Sequence, residues 1–88
     1  MKLWKLTPNG GDKAEGAWSP WYDKAFGFVV RAEDENEARV IADSNAGAEN
    51  ETWGTDKVHP WLDPRQSTCE ELLPDGPSGL ILQDFHAA

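Results

Sequence analysis

Two histidines and one cysteine are the residues of this sequence best suited to nucleophilic or metal chemistry. His59, His86 and Cys69 are its only imidazole and thiol groups. Their spacing matches neither the Cys-x-x-Cys nor the His-x-x-x-His pattern of metal sites, so we expect no bound metal and no cofactor. Cys69 and a histidine could form a nucleophile and base if folding brought them together. A small packed strand residue without a catalytic role is the simpler interpretation of Cys69.

A run of carboxylates between positions 33 and 51 is the second chemical feature. Seven acidic residues in this run face one basic residue, Arg39, and account for most of the formal net charge of -8 at pH 7. Such a surface can bind a basic groove on another protein, or it can be a solvated face that keeps a small protein soluble. The candidate acidic interaction residues are Glu33, Asp34, Glu35, Glu37, Asp43, Glu49 and Glu51.

Tryptophan is the third feature, with five in 88 residues. Trp18, Trp21, Trp53 and Trp61 fall in segments without a regular period, whereas Trp4 lies in a predicted strand. Aromatic side chains in loops can anchor an interface or line a ligand pocket, because they combine a large contact area with little side-chain entropy. They can equally complete a hydrophobic core, and we favour that role for most of them. The candidate interaction or pocket residues are Trp53, His59 and Trp61.

Four stretches have the patterning of strands that would position these residues. Residues 2–6 alternate imperfectly, and residues 26–32 are rich in aromatic and β-branched side chains, as expected of a central strand. Residues 67–73 and 80–85 flank a turn rich in Pro and Gly, which predicts a hairpin.

One helix is predicted between the two pairs of strands. Asp34 and Glu37 have the spacing of a capping box, and Gly47 is the expected C-terminal stop. Glu35 and Arg39 are spaced for an i,i+4 ion pair on a polar face that also holds Asp43. The inward face, which is mostly alanine, is predicted to comprise Ala38, Ile41, Ala42, Asn45 and Ala46.

The order strand, strand, helix, strand, strand predicts an α+β fold, with one α-helix packed on a small, mostly antiparallel four-stranded sheet. A right-handed crossover would pair the second and third strands in parallel if they were neighbours. A chain of 88 residues is expected to form a single compact domain over residues 1–88, with irregular segments at 8–25 and 48–66.

Charge and composition argue against several classes of function. A net charge of -8 opposes direct contact with nucleic acid or with an anionic membrane. No apolar run approaches the roughly 18 residues of a membrane helix, and no apolar signal region follows the N-terminal lysines. Because a lone cysteine forms no internal disulfide, we expect a cytoplasmic location.

Parts of the sequence resemble a group of short bacterial and phage proteins, and the likeness covers most of the chain. The segments that carry it are 18–32, 37–39, 60–64 and 67–69. This resemblance implies no activity and no site residues. In size and charge alone, the chain is also similar to small acidic phage proteins that inhibit host defence nucleases, including anti-CRISPR proteins and DNA mimics.

These observations predict a non-enzymatic protein that binds another macromolecule, with a basic surface on a protein partner as the expected counterpart. A phage-type inhibitor of a nucleic-acid-binding or defence protein is one form of this hypothesis. A first alternative is a small-molecule binder or small enzyme that uses the 48–66 segment and Cys69. A second alternative is a structural or assembly role through an exposed sheet edge.

Overall fold

The computed structural model describes residues 1–9, 18, 24–50 and 58–83, which contain one α-helix and a three-stranded antiparallel sheet. The strand order is β2-β1-β3, so the first strand along the chain is the central one. Short 3-10 helices at Ala48–Asn50 and Pro60–Leu62 lie between the helix and the last strand. The main elements in chain order are β1 (Lys2–Pro8), β2 (Phe28–Ala32), α1 (Glu35–Ser44) and β3 (Ser67–Leu72).

The α+β class is confirmed, but the predicted fourth strand is not seen among the described residues. Residues 80–83 are not in a strand, and Asp84 and Phe85 lie outside the described residues. Within the described part of the chain, residues 80–83 form no backbone hydrogen bonds with β3, so the predicted hairpin ladder does not develop. Residues 80–83 are tied to the sheet by a side chain instead, because Lys5 Nζ donates to the carbonyl oxygen of Ile81 at 2.6 Å.

Two further topological predictions are corrected. The 26–32 stretch provides an edge strand and not a central one, since β2 pairs only with β1 among the described strands. The second and third strands are not neighbours, and both pair antiparallel with β1. Continuous apolar character in β2 therefore does not reflect burial on both faces: Val30 is buried, whereas Val29 is 47% exposed.

Side chains alternate between the two faces of the sheet. One face packs against α1 and includes the buried residues Leu6, Val30 and Ala32. The opposite face, which we call the outer face, carries the odd-numbered residues of β1 and β2, such as Lys5 and Arg31.

Tryptophans supply the bulk of the core beneath the alanine-rich helix. Trp61 is fully buried, and its ring meets those of Trp18 and Phe28 edge to face, with centroids 4.9 Å apart in both pairs. Ala38 and Ala42 of α1 are also fully buried, and their small side chains let the helix approach the sheet closely. The structure thus places Trp61 in the core, although the sequence suggested an interface or pocket.

The start of α1 is as predicted, but its end is not. Asp34 caps the helix by accepting a hydrogen bond on Oδ1 from the Glu37 backbone N–H at 2.8 Å. The helix ends at Ser44, and the C-cap is Asn45 and not the predicted Gly47. Asn45 is exposed and not inward-facing, because its Nδ2 donates to the free carbonyl of Ile41 at 2.8 Å.

Candidate functional site

Four of the seven candidate acidic residues are exposed together where β2 leads into α1. Asp34 and Glu37 are held by the cap, in which Glu37 Oε1 also accepts from the Glu33 backbone N–H at 3.2 Å. Carboxylates at this end of a helix are stabilised by the helix dipole, so their concentration here costs little stability. We call this surface the acidic patch, and it comprises Glu33, Asp34, Glu35 and Glu37.

Little positive charge neutralises the acidic patch. Glu35 Oε2 receives a charged hydrogen bond from Arg39 Nε at 2.8 Å, which is the predicted i,i+4 pair. Within the described part of the chain, no lysine, arginine or histidine forms an ion pair with Glu33, Asp34 or Glu37. The patch therefore keeps most of its negative potential available to a partner.

Asp43 lies apart from the acidic patch and belongs to a separate contact. Its Oδ1 is 2.9 Å from Nδ1 of His59 and accepts a hydrogen bond from Asn50 Nδ2 at 3.1 Å. Asp43 lies eight positions after Glu35 in the helix, which is a rise of about 12 Å. The structure thus brings His59 to Asp43 in the C-terminal half of α1. The contact holds the segment that contains His59 against the helix.

Glu49 is buried and does not belong to any acidic surface. Its carboxylate accepts hydrogen bonds from Trp61 Nε1 at 2.6 Å, from the Gly47 N–H at 2.9 Å, and from the Ala25 N–H at 3.1 and 3.2 Å. Burial lowers the pKa of Lys24, and the nearby charge of Glu49 opposes this shift. The carboxylate of Glu49 therefore has a structural role, because it joins three segments of the chain inside the fold.

Arg39 is the buried group that the sequence did not reveal. The i,i+4 spacing predicted its contact with Glu35, but the guanidinium continues inward and is 6% exposed. Nη1 donates to the Trp61 carbonyl at 3.0 Å and to Ser67 Oγ at 2.8 Å, and Nη2 donates to the Ser67 carbonyl at 3.2 Å. No local signal distinguishes this arginine from a solvated one, because its partners lie at least 22 positions away.

The structure offers little support for a reactive Cys69. The thiol is half-buried in β3, and burial raises its pKa despite the opposing charge of Arg39. A raised pKa keeps the thiol protonated at neutral pH, which is the opposite of nucleophile activation. His59 cannot be recruited without a rearrangement, because it is engaged by Asp43.

Three surface cavities formed by described residues lie away from the predicted pocket, and His59, Trp61 and Cys69 line none of these three. They are lined mainly by residues of the three strands, of the segment just before β2 and of the chain after β3. No group of three or more His, Cys, Asp or Glu side chains that could hold a metal occurs in the described ranges. Their helices are too short or too polar to span a bilayer. The candidates Glu51 and Trp53 lie outside the described residues, as do Trp21 and His86.

Comparison of the chain with protein-family models, with curated proteins and with solved structures found no match.

Proposed function

We propose that this protein binds a partner macromolecule that presents a basic surface, and that the acidic patch makes the contact. The observation that carries the proposal is the division of the candidate acidic residues. Glu49 and Asp43 are committed to contacts within the fold, whereas the patch residues are exposed and largely without cations. Exposed carboxylates that pair with no cation among the described residues, as in Glu33, Asp34 and Glu37, are available for binding.

Electrostatics suits such a surface to fast and selective association. The net charge of -8 attracts a basic partner over about 8 Å at physiological ionic strength, and the patch gives the attraction a direction. A basic groove of this kind is characteristic of proteins that bind nucleic acid. A protein of that class, including a defence nuclease that a phage-type inhibitor would block, is the proposed partner.

Two matched double variants test the proposal. Glu33→Gln with Glu37→Gln removes two negative charges from the patch. The side-chain amide oxygen introduced at position 37 can still accept the hydrogen bond from the backbone N–H of residue 33. Glu70→Gln with Glu71→Gln makes the same change in net charge on β3, where both residues are exposed and their carboxylates pair with Lys5 and Lys2. The tagged wild type and both variants are used to capture proteins from a nuclease-treated bacterial lysate, and captured proteins are quantified by mass spectrometry.

We expect a partner that the wild type and the β3 variant retain and that the patch variant loses. Equal loss with both variants would mean that only the overall charge matters. Undiminished capture by the patch variant would show that the acidic patch is not the binding surface.

A further inference from the structure

The outward edge of β2 has backbone hydrogen-bonding groups that the sheet does not use. Asn9 N donates to the Gln66 carbonyl at 2.9 Å, so the odd-numbered residues of β1 face β3 and the even-numbered ones face β2. Their partners in β2 are residues 28, 30 and 32. Val29 and Arg31 therefore direct their N–H and C=O groups away from β1, and no strand pairs with that side within the described part of the chain.

Val29 and Arg31 also present their side chains on the outer face of this edge. Val29 contributes to a cleft of about 200 Å³ with Phe26 and Leu82. Arg31 borders a neighbouring cleft of about 340 Å³ whose lining includes Leu3. The Arg31 guanidinium is exposed and makes no hydrogen bond or ion pair with another described residue. An apolar recess and an unpaired cation thus lie two residues apart along one open edge.

The β3 edge of the sheet differs from the β2 edge in its backbone hydrogen bonds and in the charge of its side chains. At the start of β3 the backbone of Ser67 is occupied, because its N–H donates to the Asp63 carbonyl and its carbonyl accepts from Arg39. The exposed residues of β3 include Glu70 and Glu71, whose carboxylates pair with Lys5 and Lys2 at 3.0 and 3.6 Å, so these side chains offer an acidic segment no unpaired cation. Charge complementarity therefore selects the β2 edge for a partner that carries a carboxylate. A second copy of this chain is disfavoured there, because each copy carries a net charge of -8.

We propose that the β2 edge binds an extended segment of a partner protein that carries an apolar side chain and a carboxylate two residues apart. The segment adds a fourth strand by hydrogen-bonding to the backbone of Val29 and Arg31. Side chains at alternate positions of a strand lie on one face about 7 Å apart, which matches the spacing of the cleft and the cation. The apolar side chain enters the cleft beside Val29, and the carboxylate pairs with Arg31. The β2 edge includes no residue of the acidic patch, although Arg31 lies two residues before Glu33, and this inference does not rest on the proposed function.

Short synthetic peptides test the inference directly. Four capped, fluorescent nonapeptides, otherwise of Ser and Thr, carry Leu and Glu two residues apart in both orders, or Leu and Lys in the same two orders. Two orders are needed because the added strand could run in either direction. Fluorescence anisotropy gives the dissociation constants for the wild type, for Arg31→Glu and for the neutral control Arg31→Gln. Circular dichroism verifies that each variant is folded, as expected for an exposed position.

We expect one Glu peptide to bind the wild type about tenfold more tightly than the matching Lys peptide. Arg31→Glu should reverse the preference, Arg31→Gln should abolish it, and the Val29 and Arg31 amides should exchange more slowly with solvent in the complex. The patch variant should bind the Glu peptide at least as tightly as the wild type, because removal of the Glu33 charge two residues from Arg31 favours an anionic segment. This result is therefore distinct from the loss of binding that the proposed function predicts for the same variant.

Three results would overturn the inference. The first is failure of the wild type to bind any of the four peptides. The second is a preference for the Glu peptide over the Lys peptide that Arg31→Glu does not alter. The third is a dimer in solution that Arg31→Glu dissociates. The last result would mean that a second copy occupies the edge.

Discussion

Two buried polar side chains, those of Glu49 and Arg39, have structural roles and are not available to a partner. Glu49 is fully buried and is surrounded by three donors, while Arg39 is bound by the backbone and hydroxyl of Ser67. A buried charge that loses its partners is strongly destabilising, because the protein cannot replace the lost hydration. The two residues therefore act as structural junctions, and the residues left on the surface are the ones available for binding.

Glu49→Ala is expected to lower the free energy of unfolding by about 3 kcal/mol, because it leaves the Trp61 indole and two backbone N–H groups without acceptors. The control is Glu71→Gln, an exposed position where a change within about 0.5 kcal/mol is expected. Urea denaturation followed by tryptophan fluorescence measures both. Equal stability of the two variants would contradict the structural role of Glu49.

Cys69 is expected to react slowly with iodoacetamide at neutral pH. Burial raises its pKa above the ordinary 9.0, so the reactive thiolate is scarce in the folded protein. Because the folded pKa is the higher one, the stability linked to this thiol is present below pH 9.0 and declines as pH rises through the folded pKa.

The measurement is the alkylation rate as a function of pH, in the folded protein and in urea. A midpoint in the folded protein at or below that in urea would refute the burial argument. Cys69→Ser, which should not react, shows that the signal arises from this residue.

At the scale of elements, the sequence predicted the features that depend on residues close together in the chain. The Asp34 and Glu37 spacing predicted the start of α1, because a cap is formed within four residues. The strand at 67–73 was also found, with its end one residue earlier, at Leu72. The fourth strand and the central position of β2 were not predictable in this way, because they depend on which strands pair across the sheet. The burial of Arg39 and Glu49 likewise depends on residues distant in the chain.

The cap of α1 provides a test at this scale. Asp34→Ala is expected to lower the free energy of unfolding by about 1 kcal/mol, because the Glu37 N–H loses its acceptor. Asp34→Asn keeps an acceptor oxygen and should retain most of the stability, with some loss from the weaker interaction with the helix dipole. Thermal unfolding followed by circular dichroism distinguishes the variants. An Asn variant as unstable as the Ala variant would mean that charge, and not capping, is what matters at this position.

At the scale of the whole molecule, the exposed charges are divided between two adjoining sites of opposite sign. The acidic patch begins at Glu33, two residues after Arg31, whose side chain lies on the outer face of the sheet. Composition predicted the net charge but not this division, because four of the seven carboxylates in the acidic run are exposed at the patch and Glu49 is buried. In the two proposals, the acidic patch contacts a basic surface and the β2 edge binds an extended segment that carries a carboxylate.

The central claim is that the acidic patch binds a basic partner, and salt dependence of the affinity tests it most directly. The dissociation constant of the captured partner is measured by titration from 0.05 to 1 M NaCl, for the wild type and for Glu33→Gln with Glu37→Gln. Screening shortens from about 10 Å at 0.1 M salt to about 3 Å at 1 M. We predict that wild-type affinity falls with salt and that the difference between the two proteins disappears at high salt. Equal affinities for wild type and variant at low salt, or an affinity that salt does not change, would contradict the claim.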